Sequence, residues 1–270
     1  ALNILSVVEP ANLPASAEGT SKIIIIALAG LVGFRLGAGA AYLLDFLDRT
    51  VKTTSDVERI FKLPVIGYIT ELMEKENSAT YVLKEPDSIL AENFRLLRSN
   101  IEFFQISQPV KTILITSPSQ GNGKTTVATN LALSISQGEQ DVVLVDADLR
   151  RPAVHKALDM SKEPGLSDLL RNKADIDDVV RNWYGGDVKV VTAGNIPPNI
   201  TEVVGSKRIG SILADLRERF EIVIVDAPPL IIADSYNLAS RVDGVILVME
   251  PGQTAEEQAR TIKEQLDRSS

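Results

Sequence analysis

Three aspartates follow two apolar, β-branched runs of the sequence and lie near a glycine-rich stretch. The run VVLVDADLRRP (142–152) places Asp146 and Asp148 directly after apolar residues, and EIVIVDAPP (221–229) places Asp226 in the same position. Ligands of parallel sheets bind at the carboxyl ends of the strands, so we expect these carboxylates to meet at one edge. One strand-end aspartate is often only a helix cap. Three of them beside a glycine-rich loop favour a site for phosphate and Mg²⁺.

The glycine-rich stretch SPSQGNGKTT (117–126) has the composition of a phosphate-binding loop. Backbone N–H groups at a helix N-terminus would hold the phosphates, Lys124 would reach the terminal phosphates, and the Thr125 hydroxyl would ligate Mg²⁺. Pro118 stands where the usual pattern has its first glycine. The strand before the loop and the helix after it nevertheless favour a P-loop over an ordinary turn. The predicted nucleotide-binding residues are Gly121, Asn122, Gly123, Lys124, Thr125 and Thr126.

The elements that must position these residues alternate along the chain. Short apolar runs predict strands near 112–116, 142–146, 188–192, 222–226 and 244–249, with helical patterns between them. This alternation predicts a parallel sheet flanked by helices on both faces, an α/β fold of the P-loop NTPase-like type.

Residues 23–44 form an apolar run in which Arg35 is the only charge. A helix of this length spans about 33 Å, slightly more than the hydrocarbon core of a bilayer at ~30 Å. Arg35 costs on the order of 3 kcal/mol on insertion, and the large apolar residues return roughly 3–6 kcal/mol. A buried core helix is the alternative, but soluble helices seldom run so long without a polar face. We therefore predict a single transmembrane helix.

The charges that flank this run predict its orientation. Lys22 precedes it, whereas four basic residues lie between residues 49 and 62. The positive-inside rule then places the rest of the chain in the cytoplasm, below a single pass through the cell (inner) membrane. The predicted parts are an extracytoplasmic stalk fragment (1–22), the transmembrane helix (23–47), a juxtamembrane connector (48–86), and a cytoplasmic P-loop domain (87–270) that we expect to be truncated at its C-terminus.

The connector carries weaker signals. Ser55, followed three residues later by Glu58, predicts a capping box at the start of a short helix. LPVIGYI (63–69) predicts a short strand, and the polar stretch 71–88 predicts a loop. In the later part of the chain, Trp183 is expected to be a partly buried anchor of a loop.

The sequence resembles the bacterial tyrosine kinases (BY-kinases) of the polysaccharide co-polymerase type, fused to the chain-length-regulator membrane module. SPSQGNGKTT resembles their Walker A loop, VLVDADLRRP (143–152) their Walker A′ motif, and IVIVDAPP (222–229) their Walker B motif. Residues 47–69 resemble the segment that follows the last membrane helix of those regulators. The resemblance implies an ATP- and Mg²⁺-dependent protein-tyrosine (auto)kinase that regulates capsular or exopolysaccharide polymerisation and export.

The resemblance also implies separate tasks for the acidic residues. Asp148 and Asp226, together with Thr125, would hold Mg²⁺, and Asp146 would accept the proton of the attacking tyrosine hydroxyl. Lys124, Asp146 and Asp148 would then be the catalytic residues. A carboxylate with a pKa near 4 is a weak base for a phenol with a pKa near 10. The loose transition state of phosphoryl transfer needs little early deprotonation, however.

Two basic features have more than one interpretation. Arg150 and Arg151 could offset the acidic cluster or contact phosphate or a neighbouring chain, or could form salt bridges to the local aspartates. The stretch 90–104 has an apolar stripe at helical spacing, which predicts a helix docked on the sheet. The stripe consists of Leu90, Phe94, Leu97, Ile101 and Phe104. Glu92, Arg95 and Arg98 lie elsewhere on this helix, where a solvated face is the simple interpretation. The resemblance implies instead that these three contact a neighbouring subunit in a ring.

Two other functions remain possible at this level. A partition or cell-division ATPase shares the motifs but has an extra lysine early in its loop, where this chain has Ser119. An ATP-binding membrane scaffold without kinase activity is the second, because the chain has no C-terminal tyrosine cluster and lacks the family's final strand. The five tyrosines are scattered at Tyr42, Tyr68, Tyr81, Tyr184 and Tyr236.

The implied partners are other copies of the chain, whose tyrosines would be phosphorylated in trans within a homo-oligomeric ring, the membrane, and the polysaccharide polymerisation and export machinery. Nucleic acid is not expected, because the net charge is −8 and nucleic-acid binding relies on an excess of Lys and Arg. The chain has no cysteine, which excludes disulfides and thiolate metal sites.

Overall fold

The computed structural model describes residues 21–70, 78–107 and 109–269. They fall into two compact units, one ending at Arg49 and one beginning at Thr50. The first unit contributes helix α1 (Lys22–Leu47), all of whose residues are exposed. Its length and apolar composition would allow it to cross a bilayer. The predicted stalk lies outside the described residues except for its last two positions.

The second unit is built around one six-stranded sheet. Its strands are β1 (Thr112–Thr116), β2 (Val142–Asp146), β3 (Arg181–Asn182), β4 (Lys189–Val191), β5 (Ile222–Asp226) and β6 (Gly244–Leu247). The spatial order is β3-β4-β2-β5-β1-β6. All neighbouring strands are parallel except β3, which runs antiparallel to β4. The predicted α/β fold is thus confirmed, and β3 is a two-residue edge strand that the sequence patterns did not reveal.

The described helices of the second unit lie on both faces of this sheet. They are α2 (Thr54–Phe61), α3 (Tyr81–Lys84) after a 3₁₀ turn at Ser78–Thr80, α4 (Ile89–Ser107), α5 (Lys124–Ser136), α6 (Val154–Ala157), α7 (Leu166–Leu170), α8 (Ile176–Val179), α9 (Ile200–Gly205), α10 (Lys207–Arg219), α11 (Ala233–Ala239) and α12 (Glu256–Ser269).

The three central strands are buried along their whole length, as expected for parallel strands covered on both faces. Successive side chains point to opposite faces. Ile113, Ile115 and Leu144 therefore pack with α4 and α5, whereas Leu114 and Val143 pack with α7, α9 and α10. The two hydrophobic layers hold the sheet between the helices. The motif residues meet at the carboxyl ends of its strands.

The apolar stripe of α4 packs on the first of these layers except at one position. Leu90, Phe94, Leu97 and Ile101 are buried, but Phe104 is 47% exposed, so its assignment to the stripe was wrong. The buried part of the stripe therefore ends at Ile101.

The predicted connector differs from expectation in three respects. The capping box forms at Thr53, whose hydroxyl accepts a hydrogen bond from the Asp56 N–H (3.2 Å), rather than at Ser55. The Thr53 backbone N–H in turn donates to Asp56 Oδ2 (3.1 Å), which completes the box at this earlier start. The stretch 63–69 is irregular rather than a strand, because no neighbouring strand pairs with it among the described residues.

Part of the predicted loop 71–88 is helical, since the 3₁₀ turn and α3 lie within it, and residues 71–77 are outside the described residues. The segment before α2 is held to the segment before α12 by an isolated bridge between Thr50 and Ala255. Ile60 and Phe61 of α2 pack against α12. The predicted boundary at residue 87 does not coincide with a division between compact units, and it remains a prediction.

Candidate active site

The two fully buried aspartates of the site lie side by side on neighbouring strands. Asp146 ends β2 and Asp226 ends β5, and the two are paired in the parallel register. Asp146 Oδ2 accepts hydrogen bonds from the backbone N–H groups of Ala153 (3.2 Å) and Val154 (3.1 Å), where α6 begins. Asp226 Oδ2 accepts one from the Thr125 hydroxyl (2.6 Å) at the start of α5. Each carboxylate is therefore held by the first turn of a different helix.

The second oxygen of each carboxylate has no hydrogen-bond partner within the part of the chain that the structure describes. Burial, reinforced by the nearby Asp226 carboxylate, raises the pKa of Asp146 well above its usual value. Burial also raises the pKa of Asp226 to about 7, although the Thr125 hydroxyl and Lys124 oppose the shift. The unpartnered oxygen of the buried Asp226 fits a divalent cation, which would supply positive charge, and that of Asp146 is left for a separate hydrogen-bond donor.

The loop between β1 and α5 has the backbone of a phosphate cradle. Gly121 and Gly123 adopt left-handed conformations (φ 92° and 76°), which other residues rarely tolerate. Asn122 braces the turn, because its side-chain oxygen accepts hydrogen bonds from the N–H and the hydroxyl of Ser119. Lys124, 7% exposed, follows as the first residue of α5. Free N–H groups at a helix N-terminus attract anions, so this geometry suits the phosphates of a nucleotide.

The remaining predicted nucleotide and metal ligands lie close by in sequence and fold. Thr126 follows Thr125 in the first turn of α5. Asp148 is buried just beyond β2, and its Oδ1 accepts the backbone N–H of Arg151 (3.0 Å). No three His, Asp or Glu side chains within residues 21–70, 78–107 and 109–269 are arranged to hold a metal by themselves. Mg²⁺ usually keeps several waters and takes phosphate oxygens as ligands, so this arrangement suits a metal that arrives with a nucleotide.

Arg150 makes a connection that the sequence did not suggest. Its Nε donates to Asp234 Oδ2 (2.8 Å) in α11, and its Nη2 donates to the Thr201 hydroxyl (2.7 Å) in α9. Asp234 is 1% exposed. Arg150 therefore ties the segment after β2 to two other helices rather than to Asp146 or Asp148. The sequence signal of Asp234 is weak: an acidic residue directly after the apolar stretch Ile231–Ala233.

The predicted interface residues lie apart from this site, on α4. Arg95 pairs with Glu92 (2.7 Å) and also donates to the backbone oxygen of Pro86. Arg98 donates to the backbone oxygen of Ser134 on α5 (2.6 Å). Arg95 and Arg98 thus already have partners within one chain, and their contact with a neighbouring subunit remains a prediction.

Comparison with known proteins relates the chain to one group of enzymes. Residues 110–268 match the AAA domain family. The chain is 37% identical over 185 residues to "Tyrosine-protein kinase YwqD" of Bacillus subtilis (strain 168), covering 68% of this chain and 78% of that protein. It is 26% identical over 268 residues to "Tyrosine-protein kinase etk" of Escherichia coli (strain K12), covering 92% of this chain but only 37% of the relative.

Two solved structures extend this relationship. The kinase domain of Escherichia coli tyrosine kinase ETK has a TM-score of 0.75 and 26% identity, with 82% of this chain and 91% of that chain covered. The chimerical protein CapA2B2 has a TM-score of 0.74 and 31% identity, with coverages of 80% and 94%.

Proposed function

The chain belongs to the AAA domain family and, within it, to the bacterial tyrosine kinases, and on this basis we propose that it transfers the γ-phosphoryl group of ATP to tyrosine hydroxyls. Nucleotide binding follows from this membership. The observation that carries the proposal is the pair of buried carboxylates, Asp146 and Asp226, each with an unpartnered oxygen, beside Lys124 at the start of α5.

The proposed ligands of the nucleotide are the P-loop residues 121–126. The backbone N–H groups of the loop bind the phosphates, and Lys124 donates to the terminal ones. Mg²⁺ is proposed to be held by Thr125, Asp148 and Asp226. When bound, it would supply positive charge that stabilises the phosphates during transfer. The hydrogen bond between Thr125 and Asp226 supports this assignment, because it already brings two of the three groups together.

Asp146 is proposed to orient the acceptor phenol and to take its proton late in the transfer. The two N–H groups that bind Oδ2 fix the carboxylate and leave Oδ1 available for the hydroxyl. The raised pKa of Asp146 narrows the gap to the phenol pKa near 10. A carboxylate in this environment is a stronger proton acceptor than an exposed aspartate.

The alternative of a partition-type ATPase has less support. The position of its extra lysine is occupied by Ser119, whose hydroxyl is bonded to Asn122 inside its own loop (3.0 Å). Ser119 stabilises the loop of its own chain and has no positive charge that could reach the nucleotide of a second copy.

The surroundings of the reaction are also proposals. We place the catalytic domain in the cytoplasm below a single-pass anchor (23–47) in the inner membrane. We further propose a homo-oligomeric ring that uses Glu92, Arg95 and Arg98 and phosphorylates tyrosines in trans. The proposed role is regulation of capsular or exopolysaccharide polymerisation and export.

The direct test is to follow the label of γ-labelled ATP with Mg²⁺ and the full chain in detergent. Label on tyrosine, in the chain or in an added glutamate–tyrosine copolymer, supports the kinase. Steady release of inorganic phosphate without phosphotyrosine would indicate an ATPase. Bound but uncleaved nucleotide would indicate a scaffold, and either of these outcomes would contradict the proposal.

A further inference from the structure

Tyr184 differs from the other tyrosines in its surroundings. Its side chain is fully exposed, at 101% of the reference area. Tyr81 packs against the hydrophobic layer of α4 and α5. Tyr236 donates a hydrogen bond to Gln265, and burial raises its pKa. Tyr42 lies on the apolar helix α1.

Tyr68 is the next most accessible tyrosine of the second unit, at 66% exposed. A Cβ on its neighbour Gly67 would lie 3.2 Å from the Leu97 side chain, so the backbone there is pressed onto α4. Tyr68 is therefore a less accessible acceptor than Tyr184.

The turn that carries Tyr184 is held from behind by Trp183. The Trp183 indole N–H donates to the backbone oxygen of Leu158 (2.9 Å), and its backbone N–H donates to Val188 (3.0 Å). A Cβ on Gly185 would lie 2.3 Å from the indole ring, so only glycine fits there. This confirms Trp183 as a loop anchor. Because the indole occupies the inner side of the turn, Tyr184 is projected outward at its tip.

The turn lies near the amino ends of the strands, whereas the site lies at their carboxyl ends. It precedes Lys189, which pairs with Val143 near the start of β2, whereas Asp146 ends that strand. Gly186 in the turn lies beside Leu133, which is nine residues along α5 from Lys124, about 14 Å at 1.5 Å per residue. The Tyr184 hydroxyl therefore cannot reach Asp146 of its own chain without unfolding the sheet edge.

We propose that Tyr184 is a phosphoacceptor for a second copy of this chain, an inference that rests on the proposed kinase function. Its phenol oxygen bonds to the γ-phosphorus of ATP in the second copy, and the bond from that phosphorus to the β,γ-bridging oxygen breaks. ADP leaves with the electron pair of that bond. The phenol proton passes to Asp146 of the second copy.

The test separates enzyme and acceptor. Unlabelled Tyr184→Phe chain serves as the enzyme, because it keeps the site and lacks the acceptor. ¹⁵N-labelled Lys124→Ala chain serves as the receiver, because it keeps Tyr184 and lacks the phosphate-binding lysine. Both are full chains mixed in detergent with Mg²⁺ and ATP, and the ¹⁵N-labelled phosphopeptides are mapped by mass spectrometry.

The expected result is phosphate on Tyr184 of the receiver, at a rate that rises with enzyme concentration. A receiver that also carries Tyr68→Phe is still phosphorylated on Tyr184. A receiver that also carries Tyr184→Phe lacks this phosphate. A receiver inactivated by Asp146→Asn instead of Lys124→Ala should be phosphorylated on Tyr184 in the same way.

Added glutamate–tyrosine copolymer distinguishes the two ways of failing. Phosphorylated copolymer without phosphate on Tyr184 would overturn this inference and leave the kinase intact. No phosphotyrosine in either acceptor would contradict the proposed function, and the inference would fall with it.

Discussion

The carboxyl edge of the sheet and the outer face of α4 both carry clustered charges, but they differ in how far the chain satisfies those charges itself. At the sheet edge, Asp146 and Asp226 are fully buried and each keeps an unpartnered oxygen. On α4, Arg95 pairs with Glu92, and Arg98 binds the backbone of α5. The first region contains buried carboxylates whose unpartnered oxygens a bound ligand can satisfy, whereas the arginines of the second already have partners within the chain.

The largest expected effect is the loss of Lys124. The change Lys124→Ala removes a charge at the N-terminus of α5, and we expect nucleotide affinity to fall about 100-fold, the equivalent of one strong charge-assisted hydrogen bond. Calorimetric titration with MgATP measures this. Lys111→Ala, an exposed lysine just before β1, is the matched control and should bind normally. Equal affinities of the two variants would show that the cradle does not hold phosphate.

The second prediction concerns the pH dependence of stability without nucleotide. The pKa of Asp226 is about 7 in the fold and near 4 in the unfolded chain, so the folded state binds more protons between these values. Its contribution is therefore fully present below pH 4 and is lost as the pH rises through 7. Denaturant unfolding at pH 4.5 and 7.5 should show a decline in stability that Asp226→Asn reduces by on the order of 2 kcal/mol.

Asp215→Asn, an exposed aspartate on α10, is the control and should leave the pH dependence of the wild type unchanged. An Asp226→Asn variant with the same decline as the wild type would mean that this carboxylate is ionised without cost in the folded protein.

The third prediction concerns the tie between Arg150 and Asp234, which belongs to the site but not to the nucleotide cradle. Without Asp234, Arg150 no longer fixes the segment that carries Asp148. We expect Asp234→Ala to lower kcat about 10-fold, a misplacement effect, with little change in the KM for ATP. Ser240→Ala at the end of the same helix is the control. A rise in KM at constant kcat would assign Arg150 and Asp234 to binding instead.

The smallest expected effects lie on α4. Arg98→Ala loses a partly buried hydrogen bond to Ser134 and should cost about 1 kcal/mol of unfolding free energy. Arg95→Ala, whose pair with Glu92 is exposed, should cost less than ~0.5 kcal/mol. Charge reversal at both arginines should lower the oligomeric mass measured by light scattering. An unchanged mass would leave this face without a role in assembly.

The same contrast explains what the sequence could predict. The buried strands and the P-loop follow from local patterns, because β1, β2 and β5 are continuous apolar runs and Gly121 and Gly123 mark the turn. These features place Lys124, Asp146 and Asp226 at one edge. Local patterns could not pair Arg150 with Asp234, since 84 residues separate them and only the packing of α11 brings them together.

The wrong predictions have equally local causes. The stretch 63–69 has the composition of a strand, but no neighbouring strand pairs with it within the described residues, so composition alone could not decide its conformation. The capping box predicted at Ser55 forms at Thr53 instead, where the Asp56 side chain also accepts the Thr53 backbone N–H.

The most direct test of the account is to compare nucleotide binding with phosphotransfer in Asp146→Asn. The account predicts that this variant binds MgATP with an affinity close to that of the wild type while phosphotyrosine formation falls at least ~100-fold, because a general base is lost and the cradle is kept. The exposed Asp141→Asn serves as the control. Normal phosphotyrosine formation by Asp146→Asn would contradict the central claim that this buried carboxylate receives the acceptor hydroxyl.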